Sequence, residues 1–214
     1  MQDQSQENGA EPPREAAERK LADHRRLVDA LLESLAAPPG EGEAERIETH
    51  ISTVILHGDY AFKIKKPVDF GFLDFSSLEK RRHFCNEEIR LNGRFAPQLY
   101  LDVVPITGST DAPRIDGEGE AIEFAVRMRR FSQDTLMSRL AADGELPVET
   151  MDAVADAVAG FHADAARAPA DSEFSAPQAA SRPVRENFEE LRPLIEDPDL
   201  LSQLRRLEQW SRTA

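Results

Sequence analysis

The chain has 214 residues, 40% of them hydrophobic and 31% charged, with a formal net charge of -14 and a mean hydropathy of -0.50. That supports one domain of ordinary size, or one and a fragment, and the acidic balance disfavours nucleic acid and anionic membranes, where affinity comes from neutralising phosphate. No apolar run nears the roughly 20 residues of a membrane helix; the N-terminus lacks a secretory apolar core; Cys85, the single cysteine, can form no internal disulfide and belongs to no zinc-spaced cluster. A cytoplasmic protein is expected.

In chain order, residues 1–13 are polar and end on a proline pair, which predicts a disordered tail. Residues 14–36 carry Leu21, Leu27, Val28, Leu31, Leu32 and Leu35 at helical spacing, so an amphipathic helix is expected there. Residues 37–45, rich in Pro and Gly, form a linker. Two β-rich runs, ISTVIL (51–56) and YAFKIKK (60–66), flank His57-Gly58-Asp59, which predicts a hairpin with a Gly-Asp turn. A helix capped by Ser76 or Ser77 should run to about Arg94. LYLDVVPI (99–106) and IEFAVRM (122–128) read as two further strands joined by a polar loop. Helices are expected over 134–143, 148–164, 185–195 and 199–210, with an Ala/Pro/Ser-rich loop over 165–183. Hairpin, helix, two strands and then helices alone make an α+β arrangement.

The segment LHGDYAFKIKKPVDFGF (56–72) contains an HGD and a DFG, both familiar from phosphoryl-transfer enzymes. A catalytic H-x-D needs a metal-binding Asn five residues after the Asp, and Ile64 stands there. The HGD therefore reads as a turn. Asp69-Phe70-Gly71 follows no catalytic loop and reads as a connecting segment, with Phe70, Phe72 and Phe75 expected under the following helix.

The lysine between them differs. In YAFKIKK, Ala61, Lys63 and Lys65 alternate with Tyr60, Phe62 and Ile64, so Lys63 shares a strand face with a small residue and lies opposite an apolar face. At 100° per residue, Phe84, Glu88, Leu91 and Phe95 fall within about a 60° sector of the next helix. A carboxylate on a core-facing stripe costs several kcal/mol unless paired. Lys63 is the nearest partner by this reading. Such a pair positions ATP phosphates in kinase-like folds; a purely structural buried pair is the other reading.

Charge is uneven. Residues 46–131 hold 13 basic and 13 acidic residues, and the remainder 13 and 27. The clusters KIKK (63–66), EKRR (79–82) and RMRR (127–130) are solvated faces or the walls of a small anion site.

ETHISTVIL and KIKKPVDFGFLDFSSLEKRRHFCNEEIRLNGRFAPQLYLDVVPI, followed by IEFAVRMRRF, SQDTLMSRLAADGEL and VADAVAGFH, resemble the N-terminal domain of a bacterial family of aminoglycoside-phosphotransferase-like proteins. In that family the domain is often fused to a C-terminal P-loop ATPase or small-molecule-kinase-like domain. The resemblance is close over 46–165 and weak over 166–214. It implies a protein-kinase-like N-lobe over 46–131, an antiparallel sheet with one packed helix. The helical part of an incomplete C-lobe would follow over 132–214. ATP is the implied cofactor, with Mg2+ expected only alongside a catalytic half.

By the same resemblance, Lys63 corresponds to the phosphate-contacting lysine and Glu88 to its helix partner. Ala61 would lie beside the adenine. Met128, Arg129 and Arg130 would form the hinge that meets the adenine edge. Ser52 and Thr53 would lie in the turn covering the phosphates. His162 ends a helix leading toward the catalytic loop.

The chain departs from the family after His162. No second HGD with its Asn follows, the only Asn between Ala163 and Ala214 is Asn187, and no P-loop motif occurs. The expectation is an ATP-binding portion of a small-molecule kinase, inactive in phosphoryl transfer by itself. The phosphoryl acceptor is not legible. The alternative is a catalytically dead nucleotide-binding or protein-interaction module. Helices 148–164 and 185–195 are expected to expose apolar faces, to be met by a missing catalytic half or by self-association.

Overall fold

An alternating strand pattern with apolar residues on one side and lysines on the other must bury its apolar face, whereas its polar face can be left to solvent or covered. The computed structural model, which describes residues 13–36 and 43–212, shows two different covers. The tail over 1–12 and most of the linker (37–42) lie outside the described residues. The protein is α+β and divides into two units, residues 1–147 and 148–214. The division falls after Pro147, so the short helices following the last strand group with the sheet.

The first unit holds α1 (Pro13–Ala36), β1 (Glu45–Glu48), β2 (Ser52–His57), β3 (Tyr60–Lys65), α2 (Leu78–Asn92), β4 (Tyr100–Ser109), β5 (Ala112–Ile115), β6 (Ala121–Arg129), a 3-10 turn (Gln133–Thr135) and α3 (Met137–Ala142). The strands form one six-stranded sheet in the order β1-β2-β3-β6-β4-β5, antiparallel throughout. Two strands escape the sequence pattern. All four residues of β1 are exposed, and β5 supplies a hairpin where a loop was expected.

Phe62 and Ile64 project with Ile55, Val104, Ile106 and Ala125 into a core closed by Leu27, Val28 and Leu31 of α1. The N-terminal helix is therefore a structural cover of the sheet, a role its amphipathicity permits and its distance in sequence conceals. The opposite face meets α2. The sheet thus packs two helices, one more than the kinase-like expectation contains.

His24 fastens α1. Its Nε2–H donates to Thr53 Oγ1 (3.0 Å), and the Thr53 hydroxyl passes a hydrogen bond on to the Glu48 carboxylate (3.1 Å). This chain of donors assigns the neutral tautomer and leaves Nδ1 buried with no partner. Burial lowers the His24 pKa from 6.5 to about 4, against the pull of Glu48 and with Lys66, Arg81 and Arg25 opposing the imidazolium. The unfolded chain therefore takes up the proton first, and the stability that His24 contributes above about pH 6.5 is lost as pH falls toward about 4. We expect up to about 3 kcal/mol of acid sensitivity from this residue. Urea denaturation at pH 7 and pH 4.5 measures it: the stability difference between wild type and His24→Gln should shrink in acid by that amount.

α2 begins at Ser77, whose hydroxyl accepts the Lys80 amide, so of the two caps the sequence offers, Ser76 and Ser77, the second is used. The buried side of α2 is the row Arg81, Cys85, Glu88, spaced i, i+4, i+7. The apolar stripe expected to face the core does not: Leu91 and Phe95 are exposed. Phe70 and Phe72 are exposed too, stacked on one another, and only Phe75 is buried, with its ring centroid 5.2 Å from that of Phe84.

The second unit contains α4 (Val148–Asp164), α5 (Pro177–Leu191), a 3-10 turn (Arg192–Leu194) and α6 (Pro198–Ser211). α5 starts well before the expected Arg185 and runs through Pro183, so the first turns of this helix occupy the end of the expected loop. α6 is capped by Asp197, which accepts from the amides of Asp199 and Leu200. Glu208 of α6 binds Arg192 (2.7 Å) and Arg212 (2.8 Å). None of the α4 residues is buried, and Met151, Val154 and Val158 form an exposed stripe along it. Leu194, Leu207 and Trp210 are exposed as well.

Candidate functional site

Two rows of side chains define the α2 side of the sheet. Residues paired directly across strands project to the same face. Ala61 is flanked by Leu56 and Met128, and Lys63 by Val54 and Val126. An apolar row therefore lies beside the Lys63 ammonium. Ala61 and Leu56 are buried, and Met128 is half-buried.

Lys63 Nζ is 2.7 Å from Glu88 Oε1, and Lys65 Nζ is 2.7 Å from Glu88 Oε2. The strand lysine and helix glutamate picked out in the sequence are thus in contact, although the helical stripe used to orient Glu88 was not the buried one. Burial pushes the Glu88 carboxyl upward, but the two lysine hydrogen bonds outweigh it and hold its pKa below the ordinary value. Glu88 is accordingly ionised, and one carboxylate faces two ammonium groups. The surplus positive charge suits an anion.

Lys65 was missed as a partner. Strand alternation placed it on the same face as Lys63, and only its depth was not legible. Its side chain is 6% exposed against 27% for Lys63, and its Nζ lies 4.9 Å from the centroid of the Phe75 ring.

The other expected site residues fall in less open places. Ser52 and Thr53 open β2 and are fully buried; the turn before them is closed by Thr49, whose hydroxyl accepts the Ser52 amide. Thr53 belongs to the His24–Glu48 chain. Met128 and Arg129 end β6 inside the sheet. The Arg129 amide donates to Leu99 O and the Arg130 amide to Asp59 O, each at 2.8 Å. These two N–H groups are already engaged, so a free connector begins only at Phe131. Arg130 also pairs with Glu45. An open cleft of about 500 Å³ lies here, lined by Leu56, Gly58, Asp59, Phe131, Ser132 and Gln133 among others. Through Leu56 it adjoins the Ala61 row.

The two kinase-like tripeptides are structural. His57 ends β2 buried, Gly58 takes φ +53° in the turn, and Asp59 follows it. Asp69 Oδ1 accepts the Gly71 amide (2.9 Å), with Gly71 at φ +81°, a local turn of the kind Asp and Gly favour. Cys85 is buried and its thiol is pushed up to about 12, chiefly by burial, which removes it as a nucleophile. Among the described residues no group of three or more His, Cys, Asp or Glu could hold a metal ion. None of the described helices is long and apolar enough to cross a membrane.

The chain is 38% identical over 146 residues to uncharacterized proteins from two strains of Mycobacterium tuberculosis and one of Mycobacterium bovis. The match takes in 68% of this chain but 28% of each relative, so the chain spans well under a third of the length of these curated relatives. No family model matches the sequence, and no solved structure matches it.

Proposed function

We propose that this chain is the nucleotide-binding portion of an aminoglycoside-phosphotransferase-like small-molecule kinase, unable to transfer phosphate with these residues alone. The observation that carries the reading is the Lys63–Glu88 contact beside the apolar Leu56–Ala61–Met128 row. ATP fits that arrangement: an apolar row accepts a base, and an ammonium with surplus charge beside it accepts phosphate oxygen. Phe131 and the residues after it would meet the base edge, since the amides of Arg129 and Arg130 are spent. The exposed faces of α4 and of the helices after it support a partner, either a catalytic half or a second copy. A cytoplasmic location accords with this reading.

No residue here is assigned as catalytic base or metal ligand. Asp59 sits in a tight turn, and the sequence holds no second HGD. The chemistry of transfer, its Mg2+ and the acceptor would come from a catalytic half.

Isothermal titration with ATP tests the reading. Wild type should bind, and Lys63→Ala should weaken binding by about tenfold or more, the scale of one lost charge-assisted hydrogen bond. No ATP binding by wild type, or equal binding by the variant, would leave a protein-interaction module as the better account.

A further inference from the structure

We propose that Lys65 is a positioning residue: it holds Glu88 in every state of the site and so releases Lys63 to exchange between Glu88 and an anionic ligand. The inference rests on the nucleotide-binding reading for the identity of that anion.

The asymmetry between the two lysines is geometric. Both ammonium groups reach Glu88 at 2.7 Å, one on each carboxylate oxygen. Lys65 is closed in, 6% exposed and 4.9 Å from the centroid of the buried Phe75 ring. Phe75 in turn packs on Phe84 of α2. Lys63 is 27% exposed and stands between Val54 and Val126, neither of which offers its side chain a second acceptor.

Energetics give the arrangement its consequence. With a single lysine, pulling the ammonium away would leave a buried carboxylate unpaired, and that penalty would oppose ligand binding. With two, Glu88 keeps Lys65 when Lys63 leaves. Only one of two contacts is exchanged, and the ligand replaces it with another charge-assisted bond. The second lysine thus removes the cost of opening the first pair.

Amine labelling reads this without any ligand. The native protein is reductively methylated with formaldehyde and a borane reductant, and each site is followed by peptide mass spectrometry. Lys63 should react severalfold faster than Lys65 in wild type. In Lys65→Met, Lys63 becomes the sole partner of Glu88, so its labelling should slow severalfold. In the double variant Lys65→Met/Glu88→Gln no carboxylate holds Lys63, and its rate should recover. A merely structural Lys65 predicts no such recovery. Equal rates for the two lysines in wild type, which needs no variant to fold, overturn the proposal. So does a Lys63 rate that Lys65→Met leaves unchanged. If wild type fails to bind ATP while the labelling pattern holds, the nucleotide reading falls and the division of labour between the lysines stands.

Discussion

Glu88→Ala should destabilise the first unit by about 3–5 kcal/mol, the range for breaking a buried ion pair from one side. The substitution leaves Lys65, 6% exposed, with no acceptor, and places it beside a second ammonium that had shared the same carboxylate. Two like charges then face one another where one anion had separated them. Chemical denaturation of wild type and variant at matched pH measures the loss as a shift in midpoint. A variant within about 0.5 kcal/mol of wild type, the range of ordinary surface substitutions, would mean that Glu88 does not organise this face of the sheet. Lys63→Met, by contrast, leaves Glu88 still bonded to Lys65 and should cost little in stability. Stability and anion binding are thereby separable at neighbouring positions of one strand.

What the sequence disclosed of this site, and what it hid, follow from the same physics. Period-two alternation in YAFKIKK assigned Lys63 and Lys65 to one face and Phe62 and Ile64 to the other, because strand geometry fixes the sides regardless of neighbours. The Ser76-Ser77 pair located the start of α2 because the reason is local. The face that α2 buries was misread. Its inward row, Arg81–Cys85–Glu88, is polar by composition, so apolar periodicity points instead to Phe84, Leu91 and Phe95. Charged groups occupy the inner row because each finds a partner on the sheet, and partners distant in sequence leave no periodic trace.

Other gaps have comparable causes. β1 has every residue exposed and pairs along a single edge, so it lacks the alternation that marks a half-buried strand. β5 contains Pro113, which demotes a strand reading, yet it is an edge strand, where a missing donor is tolerated. The helix α5 accommodates Pro183, the last residue of the expected Ala/Pro/Ser-rich loop, in its interior, although proline costs a helix one backbone donor. The docking of α1 onto Ile55, Phe62 and Ile64 could not be inferred from its own pattern, which says only that one side of it seeks cover.

The second clamp of α2 should be as consequential as the first, with a dependence on pH. Arg81 Nε donates to both oxygens of Glu123, at 3.0 and 2.8 Å, and Arg81 also donates to the Phe75 carbonyl. Burial raises the pKa of Glu123 above its ordinary value, with Arg81 and the Phe124 amide offsetting part of the rise. Arg81→Met removes most of that offset and leaves a carboxyl that must either ionise unpaired or bind a proton. A carboxyl whose folded pKa lies above its unfolded value is stabilising below the unfolded value, and that contribution is lost as pH rises through the folded one. The variant should therefore lie close to wild type near pH 5 and fall progressively below it toward pH 8, by about 3–5 kcal/mol. Arg81 is one of the cations that oppose the His24 imidazolium, so its removal also eases the acid sensitivity due to His24, and both proteins should carry His24→Gln to take that contribution out of the difference. Adding Glu123→Gln to the variant should recover much of the loss at pH 8 and flatten the profile, since a neutral amide has no charge to bury. A pH-independent deficit that Glu123→Gln does not relieve would assign the role of Arg81 to its packing and its bond to Phe75. Arg81 and Glu88 lie two turns apart on one side of α2, so the two clamps together fix the helix that carries the glutamate opposite the strand that carries the lysines.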